Sequence, residues 1–452
     1  MIEENIIVDI EKLSSDGSGI AHYNGQVIFV EKTCPKDKCE IQFVKKNKNF
    51  AFAKVTKFIK KSPYRIEPFC PMQNVCGACQ IQFIDYKEQL KFKKQIVEDA
   101  MRGLNIEIND VIPSPQQKEF RHKIQYPIRQ TQVSKRILAG YFKQKSHDIL
   151  NIKYCPIQPA ICDEIIEFIR ENAPKYKIEG YDEKLHKGLL RHVVMRVSSF
   201  NNKILISLVL NSNIVSERIK DFAQLLFDKF DDISGITVNL NNKQTNMILS
   251  DKTILLYGNA CIKEKILDIT FDIGTNTFFQ VNPKSAENIF RYVKDYISSN
   301  FNKPVLLDAY AGIGAFGFVL ANNCSEVVSV EEVEDSIKLA KKVKRNNNIE
   351  NISLIREDTE LYLKNNDKYY DITVLDPPRK GCTKDVLNFV YKYTKSEIIY
   401  VSCNPATLAR DLKYLVSLGG QILSIQPFDM FCHTSHIENV AVIKINKNKE
   451  TV

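Results

Sequence analysis

The chain has 452 residues, of which 44% are hydrophobic and 26% charged, and its formal net charge is +9. It is too long for one ordinary domain, and the composition predicts a folded, water-soluble protein of two or three domains. The N-terminus MIEENIIVDI lacks a basic segment followed by an apolar run, and no stretch approaches the roughly 20 apolar residues of a membrane-spanning helix. We therefore expect a cytoplasmic protein with no membrane partner, and the positive charge favours an anionic partner.

Residues 1–65 are predicted to form about five short strands, which in this length indicate a small β-barrel of the OB type. Asp16–Gly19 has the composition of a turn, and Asn24-Gly25 is a strong signal for a two-residue hairpin turn. Lysines and aromatic residues alternate in KCEIQFVKKNKNFAFAKVTKFIKKS. That pattern fits RNA binding through charge and stacking and a solvated lysine-rich face equally well.

Residues 66–271 begin with a cysteine motif, Cys70, Cys76 and Cys79, and Cys155 supplies a distant fourth thiol. In a reducing compartment, clustered cysteines more often bind a metal or take part in catalysis than form disulfides. Four thiolates can hold zinc or an iron–sulfur cluster, and spacing alone does not decide between them. The basic helix YKEQLKFKKQIVEDAMRG and alternating strands such as HVVMRVSS and KILISLVLNS predict a mixed α+β middle domain.

Residues 272–452 alternate apolar strands with helical patterns. The strands are KPVLLDAY, SEVVSVEE, YDITVLDPP and EIIYVSC. This βαβ rhythm predicts a doubly wound, Rossmann-like parallel sheet, so the fold class is α/β with a small barrel and a middle domain before it. The last residues, KNKETV, are predicted to be a disordered tail.

A cofactor site is predicted at the first two strand ends of this sheet. A buried strand ends at Asp308, and the turn Ala311-Gly312-Ile313-Gly314 then opens a helix. Glu331 ends the next strand, where an acidic residue can accept hydrogen bonds from both ribose hydroxyls. Because the turn lacks the third glycine of the dinucleotide fingerprint, it favours S-adenosylmethionine over a dinucleotide. Asp358, after the third strand, is a candidate contact for the adenine.

The later strand ends carry residues suited to covalent chemistry. Asp376 ends the fourth strand in VLDPPRKGC. Enzymes that methylate exocyclic amines of bases share Asp-Pro-Pro but continue with an aromatic residue. Here Arg379 follows, which argues against that activity. Cys403 follows the fifth strand in YVSCNPATLARDL, where a thiol beside a helix start is expected to have a lowered pKa. The alternative is a buried structural cysteine. Glu438 is either a general base or a solvated charge at a strand edge.

In combination, these motifs resemble those of the bacterial RNA 5-methyluridine methyltransferases over nearly the whole chain. The matching segments are FFQVNP, DAYAGIGAFG, DPPRKG, SCNPATLARDL and HIENV. The resemblance implies a TRAM domain at the N-terminus and a [4Fe-4S] cluster on the four cysteines, although Ala78 replaces a more usual glycine; zinc is the alternative. Ala311 stands where the family often has cysteine. The residues implied around S-adenosylmethionine are Gln280, Tyr310, Glu331 and Asp376.

The implied reaction is transfer of a methyl group from S-adenosylmethionine to carbon 5 of a uridine. Carbon 5 is a poor nucleophile, so Cys403 attacks carbon 6, Asp376 binds the uracil edge, and Glu438 removes the carbon 5 proton. The target base has to leave its stack.

The TRAM-like domain and the cysteine motif imply 23S rRNA as the substrate of a monomeric enzyme. The alternative is the T-loop uridine of tRNA, whose enzymes generally resemble only the later domains. One competing function is a radical methylthiotransferase, whose Cys-x3-Cys-x2-Cys motif differs from the x5 and x2 spacing here. Another is a non-catalytic RNA-binding or ribosome-assembly factor.

Overall fold

The computed structural model describes residues 5–446, so the predicted tail KNKETV lies outside the described residues. The chain divides into two compact units. One contains the residues up to Ser114 together with those from Leu375 onward, and the other is Pro115–Val374. None of the helices within residues 5–446 is long and apolar enough to cross a membrane.

The first unit begins with a six-stranded sheet in the order β1-β5-β6-β4-β3-β2. The strands are β1 Ile6–Asp9, β2 Lys12–Leu13, β3 Gly19–Tyr23, β4 Gln26–Val30, β5 Lys38–Lys46 and β6 Phe50–Lys60. All neighbours pair antiparallel except β4 and β6, which are parallel. Side chains from β1, β3, β4, β5 and β6 fill one core, so the sheet curls around a single interior as a small barrel does.

The predicted hairpin between β3 and β4 is confirmed. Tyr23 pairs with Gln26, and the two turn residues Asn24 and Gly25 both have positive φ, at 49° and 75°. These are the backbone angles of the tight turn that Asn-Gly favours. After the loop that carries the cysteine motif, helix α1 spans Tyr86–Ala100 and is capped by the Asp85 side chain.

The second unit begins with a sheet in the order β12-β11-β10-β9-β7-β8. Helices α2 and α3 pack on it and share its largely aliphatic core, which confirms that this region mixes helices and strands. The elements are β7 Lys123–Gln130, β8 Ile137–Ala139, α2 Ile161–Asn172, β9 Leu190–Val197, β10 Ile204–Leu210, α3 Glu217–Lys229, β11 Ile233–Leu240 and β12 Thr253–Gly258. A short 3-10 helix, Ala173–Tyr176, extends α2.

The rest of the second unit contains the predicted parallel strands, in the order β17-β16-β15-β18. The pairs β15–β16 and β16–β17 are parallel, as the βαβ rhythm predicts. The elements are β13 Cys261–Ile266, β14 Ile269–Gly274, α4 Pro283–Asn300, β15 Val305–Ala309, α5 Ala315–Leu320, β16 Glu326–Glu331, α6 Glu334–Asn346, β17 Ile352–Arg356, α7 Thr359–Asn365 and β18 Tyr370–Leu375. A 3-10 helix, Ala321–Asn323, follows α5.

The chain then returns to the first unit and ends in three strands in the order β19-β21-β20, all antiparallel neighbours. The elements are α8 Lys384–Tyr393, β19 Thr394–Ser402, α9 Pro405–Ser417, β20 Gln421–Phe428 and β21 Glu438–Lys444. Cys403 follows β19, and Glu438 begins the strand that pairs with it. This pairing carries the thiol and the carboxyl into one site.

Candidate active site

Cys403 lies between the last residue of β19 and the residue that caps α9. Asn404 Oδ1 accepts hydrogen bonds from the backbone N–H groups of Ala406 (3.1 Å) and Thr407 (3.5 Å). Pro405 occupies the first turn of α9, where its missing N–H costs nothing. The Cys-Asn-Pro sequence therefore ends the strand and starts the helix within two residues, which fixes the position of the thiol.

The segment 376–382, which carries Asp-Pro-Pro-Arg, is held against the first turns of α9. The carbonyl oxygen of Arg379 accepts hydrogen bonds from Asn404 Nδ2 (3.3 Å) and Thr407 Oγ1 (3.2 Å). One turn further along, Arg410 Nη2 donates to the carbonyl oxygen of Lys380 at 2.9 Å. These bonds join the two motifs that the sequence shows 20 or more residues apart.

The buried carboxylate of Asp411 completes this attachment. Its Oδ2 accepts hydrogen bonds from the backbone N–H of Cys382 (2.9 Å) and from the hydroxyl of Tyr400 (2.7 Å). Gly381 has a φ of 74°, and a Cβ there would lie 2.5 Å from Asp411 Oδ2 and 2.6 Å from Arg410 Nη2. A larger residue at position 381 would therefore meet both a steric and a conformational penalty.

Three charged or ionisable neighbours act on the thiol of Cys403. Burial raises the pKa of Cys403, and the negative charges of Glu438 and Asp376 raise it further. Arg379 lowers that pKa through a hydrogen bond to the sulfur and through its positive charge. The expectation of a lowered pKa is therefore wrong in net direction, because desolvation at the strand end outweighs the guanidinium. The thiol is protonated in the resting protein at neutral pH.

Glu438, the first residue of β21, is only 7% exposed. Burial raises the pKa of its carboxyl to about 8; the charge of Asp376 adds to this rise and Arg379 opposes it. The alternative of a solvated charge at a strand edge is thereby excluded. A carboxylate with so high a pKa is a far stronger base than an exposed glutamate.

Two residues of this site, Arg379 and His436, did not emerge from the sequence as site residues. Arg379 Nη2 lies 3.5 Å from His436 Nδ1. Burial lowers the pKa of His436, and the nearby charges of Arg379 and Lys93 lower it further, so its imidazole is neutral. Both residues lie inside motifs quoted above, DPPRKG and HIENV, but no spacing rule indicates that these motifs meet.

The segment between β20 and Glu438 is anchored to α1 by a buried ion pair. Lys93 Nζ lies 2.6 Å from Asp429 Oδ1, and both side chains are fully buried. Tyr86 donates its hydroxyl to Asp429 Oδ2 at 2.8 Å, and Lys93 also donates to the carbonyl oxygen of Phe431 at 2.9 Å. A lysine in a lysine-rich helix gives no sequence signal of this role.

The glycine turn and its acidic residue lie in the second unit. Glu331 Oε2 accepts a hydrogen bond from the N–H of Gly312, and Oε1 accepts one from the N–H of Val333, both at 2.9 Å. Each oxygen keeps a lone pair that a ribose hydroxyl could use. Gly312 has a φ of 58° with open space around it, and the preceding Tyr310 also has positive φ, at 62°. The turn therefore fits close approach of a ligand, as S-adenosylmethionine requires.

Asp308 stabilises the surroundings of this turn through two hydrogen bonds. The fully buried carboxyl accepts hydrogen bonds from the N–H of Gly317 (2.9 Å) and the hydroxyl of Ser329 (3.1 Å). Burial raises the pKa of Asp308 to about 7, although these two bonds oppose the rise. Gln280 is half-buried in the same unit, and the Asp358 side chain caps α7 by accepting from the N–H of Leu361 at 3.0 Å.

The predicted metal site at Cys70, Cys76, Cys79 and Cys155 is not supported. Across residues 5–446, no group of three or more His, Cys, Asp or Glu side chains is arranged to hold a metal ion. The backbone of the loop that carries the first three cysteines is held by hydrogen bonds to different acceptors. The N–H of Cys70 donates to Gln82 Oε1 at 2.9 Å, and the N–H of Cys76 donates to the carbonyl oxygen of Met72 at 2.8 Å. Cys155 belongs to the other unit. Spacing in the sequence does not establish convergence of the thiols.

The parallel strands, the glycine turn and the acidic strand ends are those of a methyltransferase fold. The chain belongs to the tRNA (uracil-5-)-methyltransferase family, whose model matches residues 85–446, and a TRAM domain matches residues 3–56.

Relatives and a solved structure match nearly the full length. An uncharacterized RNA methyltransferase of Bacillus cereus is 35% identical over 98% of both chains, and one of Fusobacterium nucleatum is 34% identical over 98% of this chain and 96% of its own. The crystal structure of Pyrococcus abyssi tRNA (uracil-54, C5)-methyltransferase with S-adenosyl-L-homocysteine matches at a TM-score of 0.80 and 27% identity. It covers 97% of this chain and 100% of its own.

Proposed function

We propose that this protein transfers a methyl group from S-adenosylmethionine to carbon 5 of a uridine in RNA, with Cys403 as nucleophile and Glu438 as general base. The observation that carries the proposal is the pairing of a protonated thiol with a buried carboxyl whose pKa is about 8, with Arg379 acting on both. Covalent activation of uracil needs one nucleophile and one strong base close together.

The residues act in a defined order. The Cys403 thiol loses its proton to solvent while the hydrogen bond from Arg379 stabilises the thiolate. The sulfur then forms a bond to carbon 6, and the electron pair of the carbon 5–carbon 6 double bond moves toward carbon 5 and oxygen 4. Asp376 holds the uracil edge. Once carbon 5 has received the methyl group and S-adenosylhomocysteine is left as the by-product, Glu438 in its ionised form takes the carbon 5 proton. The double bond then re-forms, and the carbon 6–sulfur bond breaks to return the thiolate.

S-adenosylmethionine supplies an electrophilic methyl group on a sulfonium sulfur when it is bound. We propose that Glu331 binds the ribose hydroxyls, because its oxygens are already oriented by the N–H groups of Gly312 and Val333. Tyr310 and Gln280 are proposed to border the cofactor, and Asp376 to approach it as well as the base. The open turn at Gly312 is where the backbone leaves room.

We propose 23S rRNA as the substrate, and tRNA is the second candidate. The tRNA candidate is favoured by the Pyrococcus abyssi tRNA enzyme, which covers 97% of this chain. The expectation that tRNA enzymes resemble only the later domains therefore does not separate the two substrates.

The three predicted domains, 1–65, 66–271 and 272–452, remain part of the proposal, with RNA binding assigned to the first two. The [4Fe-4S] cluster stays a prediction from the resemblance that the described side chains do not support. No step of the reaction depends on it.

The test is release of tritium from carbon 5 of uridine. We would incubate the protein and S-adenosylmethionine with 23S rRNA, and separately with tRNA, each labelled with tritium at that carbon. We expect release from 23S rRNA that is lost in Cys403→Ala and kept in Cys261→Ala, which removes another partly buried cysteine. Release only from tRNA would change the substrate and keep the chemistry. No release from either RNA, with S-adenosylmethionine shown to bind, would contradict the proposal.

A further inference from the structure

Three phenylalanine rings lie together on the outer face of the N-terminal barrel. The ring centroids of Phe29, Phe50 and Phe52 are 5.5–6.0 Å apart in tilted and edge-on contacts. The residues that alternate with them along the strands, such as Ile28 and Ala53, are buried in the barrel core. The three rings therefore point away from the core, and Phe50 keeps 37% of its surface exposed.

Aromatic side chains are unusual at outward positions of a small barrel. The barrel core contains none of the three, and an outward position on a small barrel is ordinarily polar because it faces water. Strand register brings the rings together, since Phe29 pairs with Phe52 in the parallel β4–β6 ladder and Val27 pairs with Phe50. The result is an apolar aromatic surface, which we call the phenylalanine platform, defined by Phe29, Phe50 and Phe52.

Positive charges lie beside the phenylalanine platform. The segment 41–66 contains seven lysines and no acidic residue. Lys45 lies directly across from Phe52 in the β5–β6 ladder, and Lys54 is the next outward residue of β6. Within the part of the chain that the structure describes, Lys45, Lys48 and Lys54 are exposed and have no carboxylate partner. An aromatic surface flanked by such cations is complementary to a polyanion that carries flat apolar rings.

We propose that the phenylalanine platform stacks with unpaired bases of the RNA substrate, while Lys45 and Lys54 contact the flanking phosphates. The proposal rests on the RNA-methylating function proposed above and adds that the barrel selects single-stranded over duplex RNA. Stacking requires exposed base faces, which a duplex hides. Stacking on aromatic side chains tolerates any sequence, because every base has a π-face, whereas the lysines respond to phosphate alone.

The absence of tryptophan from the whole sequence permits a direct test. Phe50→Trp places a single tryptophan on the platform of the full-length protein. We expect its fluorescence to be quenched, saturably, by a 12-nucleotide single-stranded RNA of mixed sequence. The duplex of the same RNA and poly-glutamate should quench much less at equal charge. Equal quenching by the duplex, or by poly-glutamate, would overturn base stacking in favour of binding through charge alone.

Two separate variants, one in the phenylalanines and one in the lysines, distinguish the contribution of stacking from that of charge. Phe50→Leu with Phe52→Leu keeps apolar side chains, and we expect it to weaken binding of the single-stranded RNA at least tenfold, since each stacked base contributes about 1–3 kcal/mol. Its salt dependence should stay unchanged. Lys45→Gln with Lys54→Gln should instead reduce the slope of log affinity against log salt by about 1.4, at about 0.7 per phosphate contact on a single strand.

The control is Phe200→Leu, an exposed phenylalanine of the second unit, which should leave binding unchanged. Unchanged binding in the double leucine variant would overturn the proposal. All binding is measured in a Cys403→Ala background, so the result does not depend on methylation. Tritium release is measured separately, on the protein that retains Cys403. If the proposed function failed, that protein would release no tritium while quenching remained; if only this inference failed, it would release tritium while selective quenching by single-stranded RNA was absent.

Discussion

At the scale of single residues, Arg379 offsets the effect of burial on the nucleophile. It is the group that lowers the pKa of Cys403, through a hydrogen bond and its charge, while burial, Glu438 and Asp376 raise it. Its main chain is fixed by Asn404 and Thr407, so the guanidinium is directed by the same helix start that places the thiol. The fraction of thiolate available for attack therefore depends on one arginine.

We expect Arg379→Gln to move the alkylation of Cys403 to higher pH, because the uncharged amide stabilises the thiolate less. The shift should be about one to two pH units, since loss of a charged hydrogen bond costs about 1.5–3 kcal/mol and one pKa unit corresponds to about 1.4 kcal/mol. The measurement is the rate of iodoacetamide labelling of the Cys403 peptide against pH, by mass spectrometry. Lys380→Gln, which removes the neighbouring exposed charge, is the control. An unshifted midpoint in Arg379→Gln would show that the contact does not act on the thiol.

The stability of the folded protein depends on pH through Glu438, because burial makes ionisation of this catalytic carboxyl unfavourable. The folded-state pKa of about 8 lies above the ordinary value of 4.5. Between these two values the folded protein holds a proton that the unfolded chain releases. The stability that this proton contributes is fully present below about pH 4.5 and is lost as the pH rises through about 8.

We expect Glu438→Gln to be increasingly stabilised relative to the wild type as the pH rises from 5 to 9. The amide never ionises, so the difference should reach roughly 4 kcal/mol at about 1.4 kcal/mol per pKa unit. Urea unfolding at several pH values measures it, with exposed Glu350→Gln as the control that should follow the wild type. A pH-independent difference would mean that Glu438 is not buried as a protonated acid. Methylation should be lost at every pH, because the amide is no base.

At the scale of elements, the buried Lys93–Asp429 pair joins α1 to the segment that leads to Glu438. Removing one member leaves a buried charge without its partner, which typically costs about 3–5 kcal/mol. We expect Lys93→Met to destabilise the protein by about this amount in urea unfolding, and Asp429→Leu in the same chain to restore part of the loss. Lys91→Met, on the exposed face of the same helix, should change stability little. Equal effects of Lys91→Met and Lys93→Met would contradict a buried anchor.

The attachment of residues 376–382 to α9 has its own test at Gly381. We expect Gly381→Ala to reduce kcat at least tenfold with a smaller change in KM, because the added Cβ would displace Asp411 or Arg410 and thereby the Arg379 segment. Gly103→Ala is the matched control: its φ of 83° is equally left-handed, but nothing lies within 4 Å of the added atom. Both variants should lose about 1 kcal/mol from backbone strain. Only Gly381→Ala should lose activity, measured as tritium release under saturating S-adenosylmethionine.

At the scale of the whole molecule, sequence patterns predicted the local turns and strands. They did not predict which residues far apart in the sequence would meet in the folded protein. Asn24-Gly25 predicted its hairpin and the apolar runs predicted β15, β16 and β19, because turn chemistry and periodicity act over a few residues. The direction of the Cys403 pKa was mispredicted, because desolvation depends on burial by distant segments. Lys93 could not be recognised for the same reason, since its partner lies 336 residues away.

The net charge of +9 predicts that RNA binding depends strongly on salt, whereas the chemical step does not. Binding to phosphates releases counterions, so affinity falls with salt by a slope of about −0.7 to −0.9 per contact. The chemical step takes place around Glu438, which is buried from bulk ions and therefore little screened. We expect KM for RNA to rise at least tenfold between 50 and 200 mM potassium chloride, while kcat changes less than twofold. A rise of that size corresponds to about two or more contacts between the protein and RNA phosphates. Single-turnover and steady-state tritium release at both salts measure the two effects. A constant KM with a falling kcat would place the salt-sensitive charges at the reacting base rather than along the RNA.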